Sequence, residues 1–106
     1  MNVFDIFVAY VNWGEDGKRR PVLILEQGVN NAIVFNITTR YEGKSEAIRK
    51  KYFKINEWQQ AGLNNESYID TNGTLTLPLS SVEHLLGTLA EVDVQRLLEF
   101  LAQQKN

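Results

Sequence analysis

The sequence predicts a mainly β chain that closes with one helix (β+α), a small and strongly curved sheet with the helix laid across an open side. Three observations predict it. Stretches of period two, such as VFDIFVAYV (3 to 11) and NAIVFNITTR (31 to 40), recur between loops carrying Gly and Asn. PVLIL (21 to 25) is apolar at every position. From about Glu91 to Gln104 the spacing changes to i, i+3, i+4, i+7, through Val94, Leu97, Leu98 and Leu101.

Taken in order, 3 to 11 reads as a strand with Phe4, Ile6, Val8 and Tyr10 on one face. NWGEDGKRR (12 to 20) reads as a loop punctuated by Gly14 and Gly17. PVLIL requires cover on both sides, and Pro21 is expected to open that strand, because proline cannot donate within a ladder. A partner subunit would supply the second cover, which predicts a homodimer. The strand at 31 to 40 divides Ile33, Phe35 and Ile37 from Asn36, Thr38 and Arg40. YEGKSE is expected to be a loop and IRKKYFKI (48 to 55) a further strand. NEWQQAG predicts one helical turn with Asn56 as its N-cap and Gly62 at its end. SYID and TLTLPL are strand-like, with Asn72-Gly73 either a tight turn or a bulge in one longer strand. SSVEHLLG predicts another short helical turn before the final helix.

With 106 residues, the chain suits one domain, 1–106. It lacks cysteine, and its N-terminus carries no basic region followed by an apolar core, so the expected setting is cytoplasmic with no membrane association. The net charge of −2 conceals an asymmetry. Residues 18 to 54 hold nine basic and three acidic side chains, a balance of +6, whereas 55 to 106 hold two and seven, a balance of −5. That split predicts a positive working surface on an acidic body; a solvated strand and loop surface is the alternative reading.

Several chemistries find no support. His84 is the single histidine and, in the apolar context HLL, reads as structural. No acidic grouping has convincing metal-ligand spacing, so neither metal nor cofactor is expected. What remains is a site of arginine and hydroxyls. Arg20 stands out because Pro21 fixes its exit into a rigid element, and a held guanidinium can offer a phosphate two parallel hydrogen bonds. Thr38 shares a strand face with Asn36 and Arg40. It equally fits a β-branched residue placed for strand propensity.

RRPVLIL, AIVFNITTR, GLNNESYID and HLLGTLAEVDVQRLLEFL, in that order over nearly the whole chain, resemble the MazF/PemK family of toxin–antitoxin ribonucleases. The resemblance implies an SH3-like small barrel of the CcdB/MazF/PemK toxin type and a homodimer. It further implies a cognate antitoxin, with which such toxins form DNA-binding complexes, and metal-independent cleavage of single-stranded RNA such as mRNA. The reaction it implies is attack of the ribose 2′-oxygen on the neighbouring phosphate, giving 2′,3′-cyclic phosphate and 5′-hydroxyl ends. Residue by residue, it assigns catalysis to Arg20 and Thr38, with Glu15 as the loop acid. RNA binding is expected from Lys18, Arg19, Asn36, Thr39, Arg40, Lys50 and Tyr52. Where the family usually begins its first strand Gly-Asp-Ile, this chain has Phe4-Asp5-Ile6. Two other readings stand beside this one: a barrel that binds RNA or protein without cutting, and a CcdB-like gyrase poison. The latter fits poorly, because the tryptophans lie at 13 and 58 and not at the C-terminus.

Overall fold

A computed structural model describes residues 1–104. Six strands, β1 (Asp5–Trp13), β2 (Asp16–Gln27), β3 (Asn31–Thr38), β4 (Tyr52–Lys54), β5 (Tyr68–Pro78) and β6 (Val82–Thr88), form one sheet in the order β4-β5-β3-β2-β1-β6. All neighbours are antiparallel. A one-turn helix α1 (Glu46–Arg49) precedes β4, and α2 (Glu91–Gln103) closes the chain.

The alternation of PVLIL is satisfied within the protomer. Leu23 enters the main core with Ile6, Phe35, Ile37, Phe53, Ile69 and the α2 residues Val94 and Leu97. Val22 and Ile24 face the other way, into a second cluster with Ala9, Val11, Ala32, Val34 and Leu77. The curled sheet covers one face of its own central strand and, together with α2, the other, so this strand does not require the partner subunit expected from its sequence. Irregular register between β1 and β6, β2 and β3, and β3 and β5 supplies the bend.

Four local expectations need correction. Lys18, Arg19 and Arg20 are not in a loop. Trp13 pairs with Asp16 across a two-residue turn whose Gly14 has φ +63°, so β2 begins well before Pro21. Pro21 therefore sits mid-strand, and it is tolerated because pairing with β3 starts only at Val22, leaving an edge on that side. Residues 48 to 51 lie in α1 and the turn after it, with Ser45 Oγ accepting from Ile48 N–H as N-cap. Of SSVEHLLG only Ser80 and Ser81 are helical, in a 3-10 turn at Leu79–Ser81; from Val82 the segment is strand β6, and His84 is exposed. The region around Asn72-Gly73 resolves as an irregularity within the single strand β5.

Between β4 and β5 the chain makes the turn expected at 56 to 62, ending at Gly62 with φ +89°. Its N-terminus is held differently from the expectation: Asn56 and Glu57 N–H donate to the carboxylate of Asp93, which is fully buried and also accepts from Arg96 Nη1 at 2.6 Å. A side chain at Gly62 would collide with the Leu86 carbonyl, and one at Gly87 with the Ala61 carbonyl. This close backbone approach lets the segment after β4 meet β6, at the opposite edge of the sheet. Phe4 has φ +72°, the left-handed region that favours glycine. The ring is retained in contact with the main core, and its backbone joins Ile24 O and Leu89 N–H.

Candidate functional site

Register decides which side chains meet. Val22 pairs with Asn36, Asn36 with Asp70, and Asp70 with Tyr52, so these four share one face across four strands. One step along, Thr38 pairs with Tyr68 and Tyr68 with Lys54, again on that face. On β2, Arg20 and Lys18 lie two and four residues from Val22 and so point the same way. The face is apolar where Val22, Ile24 and Val34 pack, and turns polar where β2 and β3 part at Pro21.

The parting is a cleft of about 390 Å³, lined among others by Lys18, Arg20, Asn36, Thr38, Tyr52 and Asp70. Thr39 and Arg40, just beyond the end of β3, also border it. Thr38 Oγ1 accepts the Arg40 N–H at 3.0 Å, which leaves the hydroxyl proton available to a ligand. Asn36 Oδ1 is shielded without a hydrogen-bond partner, a cost of ~1–3 kcal/mol of the kind that calls for a functional explanation. Burial chiefly, then the Asp70 carboxylate, raise the Tyr52 hydroxyl above the usual tyrosine range, while the nearby Arg20 cation opposes them. Asp70 Oδ1 accepts from Asn72 N–H at 2.9 Å and Asn72 Nδ2 at 2.8 Å, which orients the carboxylate.

Other expected residues lie elsewhere. Arg19 borders the cleft, but strand alternation turns its guanidinium to the far face. There Nε donates to Glu83 at 2.8 and 3.1 Å, and the group lies 5.7 Å from the Tyr10 ring centroid. The hydrogen bond and charge of Glu83 raise its pKa further. Glu15 is exposed in the β1–β2 turn and Lys50 caps α1; neither lines the cleft. Asp70, Ser67 and Lys44 line it and were not singled out from the sequence. For Asp70 the signal was the period two of SYID, which becomes readable only once β5 is paired with β3. Among the described residues no group of three or more histidine or acidic side chains comes together as a metal site. No helix there is long and apolar enough to cross a membrane.

A family of PemK-like, MazF-like toxins of type II toxin–antitoxin systems matches residues 2–104. The chain belongs to this family. Toxins of the family are endoribonucleases. The chain is also similar to the solved structure of Mycobacterium tuberculosis toxin MazF-mt6, at 26% identity and a TM-score of 0.71, with 93% of each chain covered. No curated protein sequence matches it. The PemK/MazF assignment agrees with the mostly β architecture and C-terminal helix described above.

Proposed function

We propose that the chain is a toxin endoribonuclease that cuts single-stranded RNA in the cleft between β2 and β3, without a metal, and that an antitoxin silences it. The observation carrying this reading is that Arg20 and Thr38, from different strands, face one cleft with Lys18 beside them. In the reaction, the ribose 2′-oxygen attacks the adjacent phosphorus in line as the 5′-oxygen leaves. Arg20 stabilises the charge that grows on the phosphoryl oxygens, and the Thr38 hydroxyl donates to one of them. Asp70 is the carboxylate lining the cleft and accepts the 2′-proton. Lys18 holds a flanking phosphate. The departing 5′-oxygen takes a proton from water in the open cleft, so the products are a 2′,3′-cyclic phosphate and a 5′-hydroxyl.

A homodimer remains part of the proposal, with a different basis. Since both faces of PVLIL are filled, the surface left to cover includes Leu85 on β6 and Val92 and Leu98 on α2, which are 55%, 56% and 46% exposed. The direct test is incubation of the purified protein with a long single-stranded RNA in EDTA, followed by mapping of fragment ends. Cleavage leaving cyclic phosphates is expected. A strict requirement for Mg²⁺, or 3′-hydroxyl ends, overturns the mechanism, and binding without cutting favours the non-catalytic barrel.

A further inference from the structure

The cleft continues into a second cavity of about 580 Å³, and Thr39, Arg40 and Lys44 border both. Aromatic rings stand along this path. Tyr68, opposite Thr38 in the sheet, stacks on Tyr41 with centroids 4.6 Å apart and planes at 22°. Tyr52, in the cleft, tilts against both, at 6.2 Å from Tyr41 and 6.4 Å from Tyr68. Three partly exposed tyrosines on one sheet edge are not spent on the core; neither apolar cluster includes them.

Two carboxylates stand at the same cavity. Glu66 accepts from the Tyr68 hydroxyl at 3.4 Å and lies 3.7 Å from Lys54 Nζ, which fixes its place beside the ring. Glu42 also lines the cavity. Burial, then Glu66, with a smaller contribution from Glu42, raises the Tyr68 hydroxyl above its usual range, in keeping with both acids lying near it. Carboxylates beside a phosphate path are unfavourable unless they meet a donor on the ligand. Aromatic faces with acceptor groups at their rim match a nucleobase, while Arg40 and Lys44 at the junction match the backbone leading to it.

We infer that this second cavity is a base-recognition subsite for guanine, next to the cleaved phosphate, in which Tyr41 and Tyr68 support the base and Glu42 or Glu66 reads its edge. Guanine alone presents two adjacent donors, N1–H and N2–H, on its Watson–Crick edge. A carboxylate accepts both at once. Adenine and cytosine place a ring acceptor beside the amino group, and uracil flanks its one N–H with carbonyls, so each sets a lone pair against the carboxylate. The inference rests on the proposed RNA cleavage for its consequence, but the subsite can be probed without it.

Two arms test it. In the first, the wild-type protein cuts an RNA of mixed sequence and the fragment ends are aligned. Guanine should dominate one position within two nucleotides of the cut. Glu42→Gln or Glu66→Gln should lower that preference several-fold, and Tyr41→Leu or Tyr68→Leu should raise KM by at least about fivefold, the low end of one base–aromatic stack. Phenylalanine at either tyrosine should restore most of the loss, which separates stacking from a folding defect. In the second arm, Arg20→Ala binds short RNAs carrying a single thienoguanine, a fluorescent analogue that keeps the N1–H and N2–H donors of guanine and whose fluorescence falls on stacking. Quenching should be strongest at one position and should be lost in the leucine variants. If the wild type cuts RNA with no guanine preference near the cut, or the glutamine variants keep that preference unchanged, the subsite is wrong while the ribonuclease reading stands. If no RNA is cut but quenching at one position depends on Tyr41 and Tyr68, cleavage is wrong and stacking stands. Absence of position-dependent quenching overturns the subsite whatever the first arm shows.

Discussion

Three consecutive cations, Lys18, Arg19 and Arg20, should behave as three different residues when each is replaced by alanine. Lys18 faces the cleft and has one phosphate to lose. For single-stranded nucleic acid each such contact steepens the salt dependence of log K by about 0.7. Between 50 and 200 mM salt, wild-type affinity should therefore fall about 2.6-fold more than that of Lys18→Ala. Arg19 points to the other face and binds Glu83 at 2.8 Å, so Arg19→Ala should leave the salt slope unchanged. Its effect should appear as a mild loss of stability that Glu83→Ala shares, because each variant breaks the same pair. In the proposed mechanism Arg20 acts on the developing charge, and loss of one such donor costs ~3 kcal/mol, on the order of a hundredfold in kcat. RNA affinity should be largely kept, and Arg20→Lys should recover little, since an ammonium lacks the two-pronged fork. The assays are fluorescence anisotropy of a labelled RNA against salt and single-turnover cleavage. If Arg19→Ala flattens the slope as Lys18→Ala does, strand alternation has been misassigned. If Arg20→Ala cuts at the wild-type rate, the catalytic assignment fails.

Other substitutions probe chemistry and packing. Thr38→Val removes the hydroxyl at nearly constant shape and should lower kcat with little change in KM; an unchanged kcat removes Thr38 from the mechanism. Phe4→Gly should be more stable than Phe4→Ala in urea denaturation, the reverse of the usual order, because glycine relieves a left-handed backbone cost of ~1–2 kcal/mol that alanine keeps. Gly62→Ala should be destabilising by more than that, since φ +89° is combined with collision against the Leu86 carbonyl. Tyr52 and Tyr68 have folded pKa values raised above the unfolded one, so they favour folding below the unfolded tyrosine pKa of about 10, and that contribution fades as pH rises through their folded values. Absorbance at the tyrosinate band should show these phenols ionising later than in the urea-unfolded chain.

Much of the fold was legible because it rests on strong local periodicity. PVLIL announced cover on both faces, and the spacing of Val94, Leu97 and Leu101 announced the last helix; both are observed. The cover for PVLIL was not legible, because an apolar run does not say whether its own sheet or a partner fills the far side. SSVEHLLG misled because Val82, Leu85 and Leu86 have helical spacing. In the folded chain, register shifts at Ile6/Phe7 and Val8/Ala9 break the period of two between β1 and β6. At the site, Arg20 and Thr38 could be named from short motifs, whereas Asp70, Tyr41 and Tyr68 could not. Their meeting depends on β3 pairing with β5 across about 30 intervening residues, and on a loop returning Tyr41 to the same face.

The location of the cleft follows from one mismatch in strand extent. β2 runs for 12 residues, but its pairing with β3 stops at Val22, while pairing with β1 continues to Asp16. Residues 16 to 21 are thus fixed by hydrogen bonds on one edge and open on the other. A fully paired strand would bury its backbone edges on both sides and leave no cleft beside it. An unpaired loop would leave the cations mobile, and each substrate would have to offset the entropy of ordering them. A half-paired strand avoids both. Proline belongs at that fork because its missing donor is not required on the open edge. The apolar cluster at Val22, Ile24 and Val34 occupies the same face two residues further on. It anchors the backbone positions from which Arg20 and Asn36 project, so the strand that carries the guanidinium is fixed before any phosphate arrives. Most acids of the 55 to 106 segment lie away from the cleft, Asp70 being its one acidic lining residue, which is why a protein of net charge −2 can still present a cationic site.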